Sequence, residues 1–408
     1  MRYIDFVDIG YEPSGAEVIC DFHFETEVLS REEAAGGIAA ESSVGTWTEL
    51  TTVKPYVNRL SATVFEIDGD ECSIAYPAEL FEPGNMANIL SSIAGNVFGL
   101  DALKRLRLND VRFPAGLVKG FQGPKFGIDG VRELLRIEGR PLVGTIIKPK
   151  LGLKTSDHAE VAYEAWVGGC DIVKDDENLS SQAFNPFEER VAETLEMRDW
   201  AESETGERKA YMVNISAETE EMLRRAEIVK AQGGRYAMVD IITCGFSALQ
   251  TLRKHDLGLV IHAHRAGHAA FTRSDSHGIN MKVIAKVARI IGVDQLHVGT
   301  AVGKMSETRE EVLENVEALK RPMHGLKRVL PVASGGLHPG LVPELIELFG
   351  TDFVIQAGGG IHGHPMGSRR GATAMRQAVD AVIQGSTLEE YSNKHEELAG
   401  ALKTWSTG

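Results

Sequence analysis

Gly168-Gly169-Cys170-Asp171-Ile172-Val173-Lys174-Asp175-Asp176-Glu177 sets a short apolar run between a glycine pair and a block of four charged residues. Ile172 and Val173 suit a strand covered on both faces, and the charges begin where such a strand would end. Comparable runs recur at 142–147, 171–173, 211–215, 236–242, 259–263, 295–298, 329–333 and 352–356. Helical patterns such as 218–232 and 281–291 separate them, and Thr308-x-x-Glu311 and Ser386-x-x-Glu389 have the form of capping boxes. Eight strand–helix units in roughly 250 residues predict an α/β fold of the (β/α)8 TIM barrel type. A doubly wound open sheet, the alternative, would usually repeat fewer times.

Upstream, residues 1–130 read as a smaller N-terminal α+β domain, leaving 131–408 for the barrel and a C-terminal helical tail. Period-2 alternation over 16–24 predicts a strand, Glu82-Pro83-Gly84-Asn85 a turn, and 86–97 a helical stretch. A Gly/Pro-rich connector, Phe121-Gln122-Gly123-Pro124-Lys125-Phe126-Gly127, joins the two parts. The 408 residues, 43% hydrophobic and 25% charged, suit a globular protein of two or three domains. Lys plus Arg number 43 against 58 Asp plus Glu, a formal net charge of −15 that repels phosphate backbones and anionic headgroups. No nucleic-acid or membrane partner is therefore expected. No apolar run approaches the ~20 residues of a membrane span, and Met1-Arg2-Tyr3-Ile4-Asp5-Phe6-Val7-Asp8 puts acids where a signal peptide needs apolar residues. Cys20, Cys72, Cys170 and Cys244 form no Cys-x-x-Cys pair and read as buried, inert thiols. A soluble, cytoplasmic protein is expected.

Polar and glycine-rich segments cluster where the strand candidates end, the face that bears the active site in barrel enzymes. Alternation along a strand puts Lys174 and Asp176 on one side and Asp175 on the other, while Glu177 can turn back from the loop. Two carboxylates on a barrel rim suit Mg²⁺, which prefers hard oxygen ligands. Reaction of the Lys174 amine with CO₂ would replace a repelling ammonium by an anionic carbamate oxygen. A solvated salt-bridge cluster is the competing reading. Lys148 and Lys150 flank Pro149 and project to one face, where neighbouring ammonium groups lower each other's proton affinity and fit proton transfer; holding an anion is the plainer role. His262 and His264 could ligate a metal, but the lack of a third His or Cys disfavours zinc, and His262 could be a satisfied core residue. The glycine runs Ser334-Gly335-Gly336 and Gly358-Gly359-Gly360 follow strands seven and eight, where barrels commonly bind phosphate. Tight turns are their plain alternative. Arg265 with His297 forms a second candidate anion site. Lys304, in Gly303-Lys304-Met305-Ser306, could close over substrate, as any exposed loop lysine could. Two anion sites flanking a metal suit a doubly phosphorylated sugar.

These segments, with Glu41-Ser42-Ser43-Val44-Gly45-Thr46-Trp47 and Gly95-Asn96-Val97-Phe98-Gly99, resemble the large subunit of the ribulose-1,5-bisphosphate carboxylase/oxygenase (RuBisCO) family along nearly the whole chain. The stretch 81–86 and the compact C-terminus look most like the archaeal-type (form III) branch. The resemblance implies a carbamylated Lys174 that binds Mg²⁺ with Asp176 and Glu177. Lys148 would assist enolisation and protonate the product carbanion, Lys150 would tune it, and His264 would bind substrate oxygens. Arg265 and His297 would hold one phosphate; Gly336, Gly358 and Gly359, with Thr46 and Trp47, the other. Ser334 would contact the sugar, and Lys304 would stabilise the nascent carboxylate. Glu41, Thr46, Trp47 and Asn96 would come from the partner subunit of a homodimer or ring of dimers, with no small subunit. The implied reaction converts ribulose-1,5-bisphosphate and CO₂ to two 3-phosphoglycerates, with O₂ as competing substrate, in nucleoside monophosphate salvage. A RuBisCO-like sugar-phosphate enolase or isomerase is the alternative; such relatives lose several of these residues, all present here. A non-catalytic sugar-phosphate binder is a further rival. Two departures stand out: Ser306 and Glu307 replace the acid and glycine that commonly follow this lysine, and Ile146 stands where plant-type enzymes have threonine.

Overall fold

The alternation read over 16–24 becomes β1 (Glu17–Glu25), with Val18, Cys20, Phe22 and Phe24 buried. The computed structural model describes residues 2–48, 50–302 and 307–405. They divide into two units: the described residues of Met1–Gln122 with Gly267–Ile291, and those of Gly123–Ala266 with Gly292–Gly408. In the first unit the strands β2 (Thr63–Asp68), β3 (Glu71–Pro77) and β4 (Arg105–Arg112) join β1 in an antiparallel sheet, β4 and β3 pairing with its two edges. The helix Arg31–Glu41 opens on a Ser30/Glu33 capping box. The helical stretch expected over 86–97 is interrupted: Met86–Ile93 is α-helical, and Asn96–Gly99 forms a separate 3₁₀ turn. Gly95 lies between them with its backbone folded onto Ser91, where a Cβ would stand 1.9 Å from the Ser91 carbonyl oxygen.

The second unit is the barrel. Its strands begin with β5 (Leu142–Ile146), β6 (Ile172–Lys174), β7 (Ala210–Asn214), β8 (Tyr236–Asp240) and β9 (Val260–His264). The chain then contributes β10 (Gly278–Ile279) and the helix Met281–Ile291 to the first unit, where β10 runs parallel to β4. There Asn280 N–H donates to the Leu108 carbonyl at 2.9 Å, and Lys286 Nζ donates to the Val111 carbonyl at 3.0 Å and pairs with Asp110. The chain resumes the barrel with β11 (Gln295–His297), β12 (Leu330–Ser334) and β13 (Val354–Ala357), and β13 closes on β5. All eight expected strands are present, each within two residues of its sequence reading, and closure excludes the open sheet.

Every barrel strand is buried along its length except at the polar ends of β9 and β12. The first residues of the strands, among them Leu142, Ile172, Tyr236, Val260, Leu330 and Val354, pack against Ile128, Val131 and Leu135 of the helix Gly127–Leu135. Each such side chain contributes about 1.5–3 kcal/mol by leaving water, so the N-terminal end of the barrel is a packed floor and the opposite end is left for chemistry. Thr308 caps the helix Arg309–Lys320 with Glu311, as the sequence predicts. The second expected box is displaced by one residue, to Thr387 and Glu390. Ser386 cannot cap there because its N–H closes the preceding helix on the Ala381 carbonyl at 2.9 Å. Among the described residues no helix is long and apolar enough to cross a membrane. All four cysteines are free; Cys20, Cys72 and Cys170 are buried, whereas Cys244 is only partly so.

Candidate active site

At the C-terminal ends of the barrel strands lies a cavity of about 230 Å³. Lys148, Lys174, Glu177, His264, His297 and Ser334 line it, together with Gly336, Gly358 and Gly359 from the two glycine runs. These nine residues of the sequence reading thus meet in one place.

Lys174 ends β6 at 1% exposure, its Nζ donating to the Asp175 carbonyl at 2.7 Å and lying 3.4 Å from Glu177 Oε2. Burial pushes this amine below its ordinary proton affinity, against the pull of Glu177, Asp176 and Asp240. Asp176, two residues past the end of β6, accepts from Lys148 Nζ through its Oδ2 at 2.9 Å. Burial opposes its ionisation, but hydrogen bonds from Asn178 and Lys148 hold its carboxyl below the usual range. Burial works against Glu177 too, and the charges of Lys174 and His264 outweigh it. Asp175 points the other way, into a buried nest of Tyr211 Oη (2.6 Å), Asn214 N–H (2.9 Å), His158 (3.1 Å) and Arg190 (3.4 Å). It is the anchor that fixes the strand end, not a ligand.

His264 ends β9 and sets Nδ1 2.7 Å from Asp240 Oδ1, with Nε2 3.6 Å from Glu177 Oε2. The bond to Asp240 and the Ala266 N–H at 3.2 Å from the same Nδ1 fix the ring's orientation and leave Nε2 toward Glu177. His297 lies edge-on to His264, ring centroids 4.7 Å apart, and its Nε2 is 2.9 Å from His262 Nε2. His262 is wholly buried, with Nδ1 2.9 Å from Gln295 Oε1, and burial, aided by the Lys174 charge, pulls it down to about 3. It is the satisfied core histidine, not a zinc ligand. Burial and the neighbouring His264 keep His297 neutral as well. Arg265 is held by Glu307 through both Nη atoms, at 2.5 and 2.9 Å. Gly336 adopts φ +69°, a left-handed conformation that favours glycine. At Gly358 a Cβ would lie 3.0 Å from Lys148 Cε, so a side chain there would press the lysine out of its place.

Lys150 departs from its expected place. β5 ends at Ile146, so the alternation that would align Lys150 with Lys148 no longer applies, and Lys150 is exposed outside the cavity lining. Glu41, Thr46, Trp47 and Asn96 lie on the first unit, Trp47 being 80% exposed, while the cavity is lined by the second unit alone. Lys304 and Ser306 fall outside the described residues. Ile146 forms part of the cavity wall. Two participants were missed in the sequence. Asp240 ends β8 in register with His264. Gln356 lines the cavity, and neither polar atom of its buried amide meets a partner among the described residues. A lone amide inside the apolar run 354–357 was the available signal.

Among the described residues no three His, Cys, Asp or Glu side chains converge as a metal site. Asp176 and Glu177 supply two hard oxygen donors, and the Lys148 ammonium beside Asp176 shows that the place accepts a cation. With a carbamate on Lys174 the donor set would fit Mg²⁺.

Comparison with known proteins agrees with this geometry. The family model for the ribulose bisphosphate carboxylase large chain, N-terminal domain, matches residues 5–117, and that for the catalytic domain matches 127–405. A ribulose bisphosphate carboxylase of Methanocaldococcus jannaschii is 51% identical, over 98% of this chain and all of that protein. That of Pyrococcus abyssi is 52% identical over 99% and 96%. An octameric RuBisCO from Pyrococcus horikoshii, crystallised with sulfate ion, superposes with a TM-score of 0.97 at 50% identity, covering 100% of this chain and 98% of that one. A dimeric archaeal RuBisCO from Hyperthermus butylicus gives 0.92 at 45% identity, covering 99% of each. Barrel, rim and preceding sheet together define an enzyme of the carbon–carbon lyase class. The chain belongs to the ribulose bisphosphate carboxylase large-chain family, and the relatives named here are archaeal.

Proposed function

We propose that this chain is a ribulose-1,5-bisphosphate carboxylase with oxygenase side activity, acting in the cytoplasm as a homodimer or ring of dimers without a small subunit. Octameric and dimeric assemblies among its similar structures support the oligomer, and four free cysteines suit a reducing compartment. Its likeness to archaeal enzymes favours nucleoside monophosphate salvage as the pathway.

The observation that carries the reading is Lys174, a buried amine whose proton affinity is lowered beside two carboxylates. Only the neutral amine attacks CO₂, and burial raises its share. The product, an anionic carbamate, would complete a Mg²⁺ site with Asp176 and Glu177. Mg²⁺, when bound, supplies Lewis-acid polarisation of the substrate's oxygens.

The chain's own groups do the rest. Arg265 and His297 would take one phosphate, and the N–H groups of Gly336, Gly358 and Gly359 the other, stretching the sugar across the rim. The Lys174 carbamate would accept the C3 proton. The resulting enediolate adds CO₂ at C2, and hydration and C2–C3 cleavage give two 3-phosphoglycerates. Lys148, with its ammonium at the cavity wall, would return a proton to the carbanion at C2. His264, held by Asp240, presents Nε2 to a substrate oxygen and can move a proton there. Ser334 and Gln356 face the sugar, Lys304 would steady the new carboxylate, and Glu41, Thr46, Trp47 and Asn96 of a second copy would complete the site.

Incubation of the pure protein with Mg²⁺, labelled bicarbonate and ribulose-1,5-bisphosphate tests this. Acid-stable label in 3-phosphoglycerate is expected. Exchange of the C3 proton without label would replace the carboxylase by an enolase or isomerase, and binding without turnover would leave only a binder.

A further inference from the structure

Arg265 follows β9 and is buried, and its guanidinium is already engaged by a carboxylate. Both Nη atoms are engaged by the Glu307 carboxylate, Nη1 to Oε1 at 2.5 Å and Nη2 to Oε2 at 2.9 Å. This is the paired geometry with which a guanidinium binds a phosphate's two oxygens. The two side chains are 6% and 15% exposed, so water does little to weaken the pair. The backbone makes room for it. Gly299, two residues beyond β11 at φ +99°, has its missing side chain directly over the contact: a Cβ would lie 2.7 Å from Glu307 Oε2 and 3.3 Å from Arg265 Nη2. Glu307 is also one of the two positions at which the sequence departs from the common family pattern.

We infer that Glu307 is a resident anion of the Arg265 phosphate seat. Its carboxylate fills the guanidinium fork until a phosphate group displaces it, so Glu307 sets the affinity of that seat. The inference rests on the reading of Arg265 as a phosphate-binding residue. A phosphate dianion carries more charge than a carboxylate and brings a third oxygen for His297, so a substrate anchored at its other end can win the exchange. A free monoanion, or inorganic phosphate at low concentration, gains little by it. Without Glu307 the seat would be open to any small anion. Glu307 is thus an affinity-determining residue that acts through Arg265 and need not touch the reacting carbons.

The test is a calorimetric titration with inorganic phosphate of the wild-type protein, Glu307→Gln, Arg265→Gln and the double variant. Glutamine keeps the shape of the side chain and removes its charge; equal thermal unfolding would show the fold intact. The expected result is phosphate binding at least about tenfold tighter in Glu307→Gln, the size of a close, desolvated charge pair. In the Arg265→Gln background the same change should alter binding less than about twofold. Unchanged or weaker binding in Glu307→Gln would overturn the inference and make Glu307 a support that orients Arg265. An equal gain in both backgrounds would also overturn it, since the effect would then be general charge. The titration needs no turnover. Failure of the labelled-bicarbonate assay with success here would sink the carboxylase reading alone, while failure of Arg265→Gln to weaken phosphate binding in the Glu307→Gln background would sink the seat.

Discussion

Replacing Lys174 by methionine separates what this residue does for chemistry from what it does for the fold. The side chains have similar length, and Met238 Sδ already lies 3.2 Å from Nζ, so the new thioether meets a compatible neighbour. The loss is one donor to the Asp175 carbonyl, about 1–3 kcal/mol if nothing replaces it. The gain is relief from burying an ammonium, several kcal/mol even after relaxation. Removing one member of a buried ion pair usually strands the other, but Glu177 is 30% exposed and keeps its water. The balance runs from zero to about 2 kcal/mol in favour of the variant, and a Tm raised by a few degrees. The sign of the pH dependence follows as well. Folded Lys174 holds its proton less tightly than the ordinary 10.5, so the unfolded chain binds more protons between the two values. Wild-type stability from this group therefore rises with pH through that window, and the variant lacks the slope. Thermal unfolding across pH and the labelled-bicarbonate assay read both effects: no fixed label, with stability equal or higher. A loss of more than about 2 kcal/mol would refute the reasoning, because it would make the protonated amine a structural counter-ion.

Three other outcomes can be checked directly. Asp240→Asn should lower kcat by about 10²–10⁴ while KM changes little, since it removes the carboxylate that holds the His264 ring in place; a loss under tenfold would remove Asp240 from the site. Asp175 is held down to about 2 from 3.8, against its burial, by Arg190, His158 and Tyr211. Its depressed folded value gives about 2 kcal/mol that is fully present above 3.8 and lost as pH falls through about 2, so Asp175→Asn should flatten acid unfolding in that window. Gln356→Leu removes two unpartnered polar atoms from the cavity wall and should stabilise the fold by about 1 kcal/mol while raising KM for the bisphosphate; an unchanged KM would show that no substrate group reaches the amide.

The barrel was legible because each doubly covered strand must be apolar and must end in polar residues at the rim, a pattern visible without any alignment. The orientation of Lys174, Asp175 and Asp176 agrees with strand alternation, although β6 itself ends at Lys174. Lys150 shows where that rule stops, since it was applied past Ile146, where the strand has already given way to a turn. Asp240 was hidden for the opposite reason. Its strand was read on to residue 242, and buried Ile241 made the carboxylate look like a break within the run instead of its end. Glu307 could be noticed as a departure, but its partner lies 42 residues away and only the folded rim brings the two together. The cap at Thr387 was missed by one residue because two overlapping Ser/Thr-x-x-Glu patterns exist, and the choice falls to the end of the preceding helix.

The small strand at Gly278–Ile279 and the helix behind it make the sheet unit discontinuous in sequence. During synthesis at ~5–20 residues per second, β4 must wait roughly ten to thirty seconds for the short strand that pairs with Arg107 and Leu108 on its open edge. An uncovered edge strand invites pairing with other chains. A fragment cut at Gln122 would keep that edge bare, whereas the intact polypeptide shortens it once residues 278–291 have been made. The excursion between two barrel strands is thereby a clasp across time, tying completion of the early-made part to progress of the late-made one.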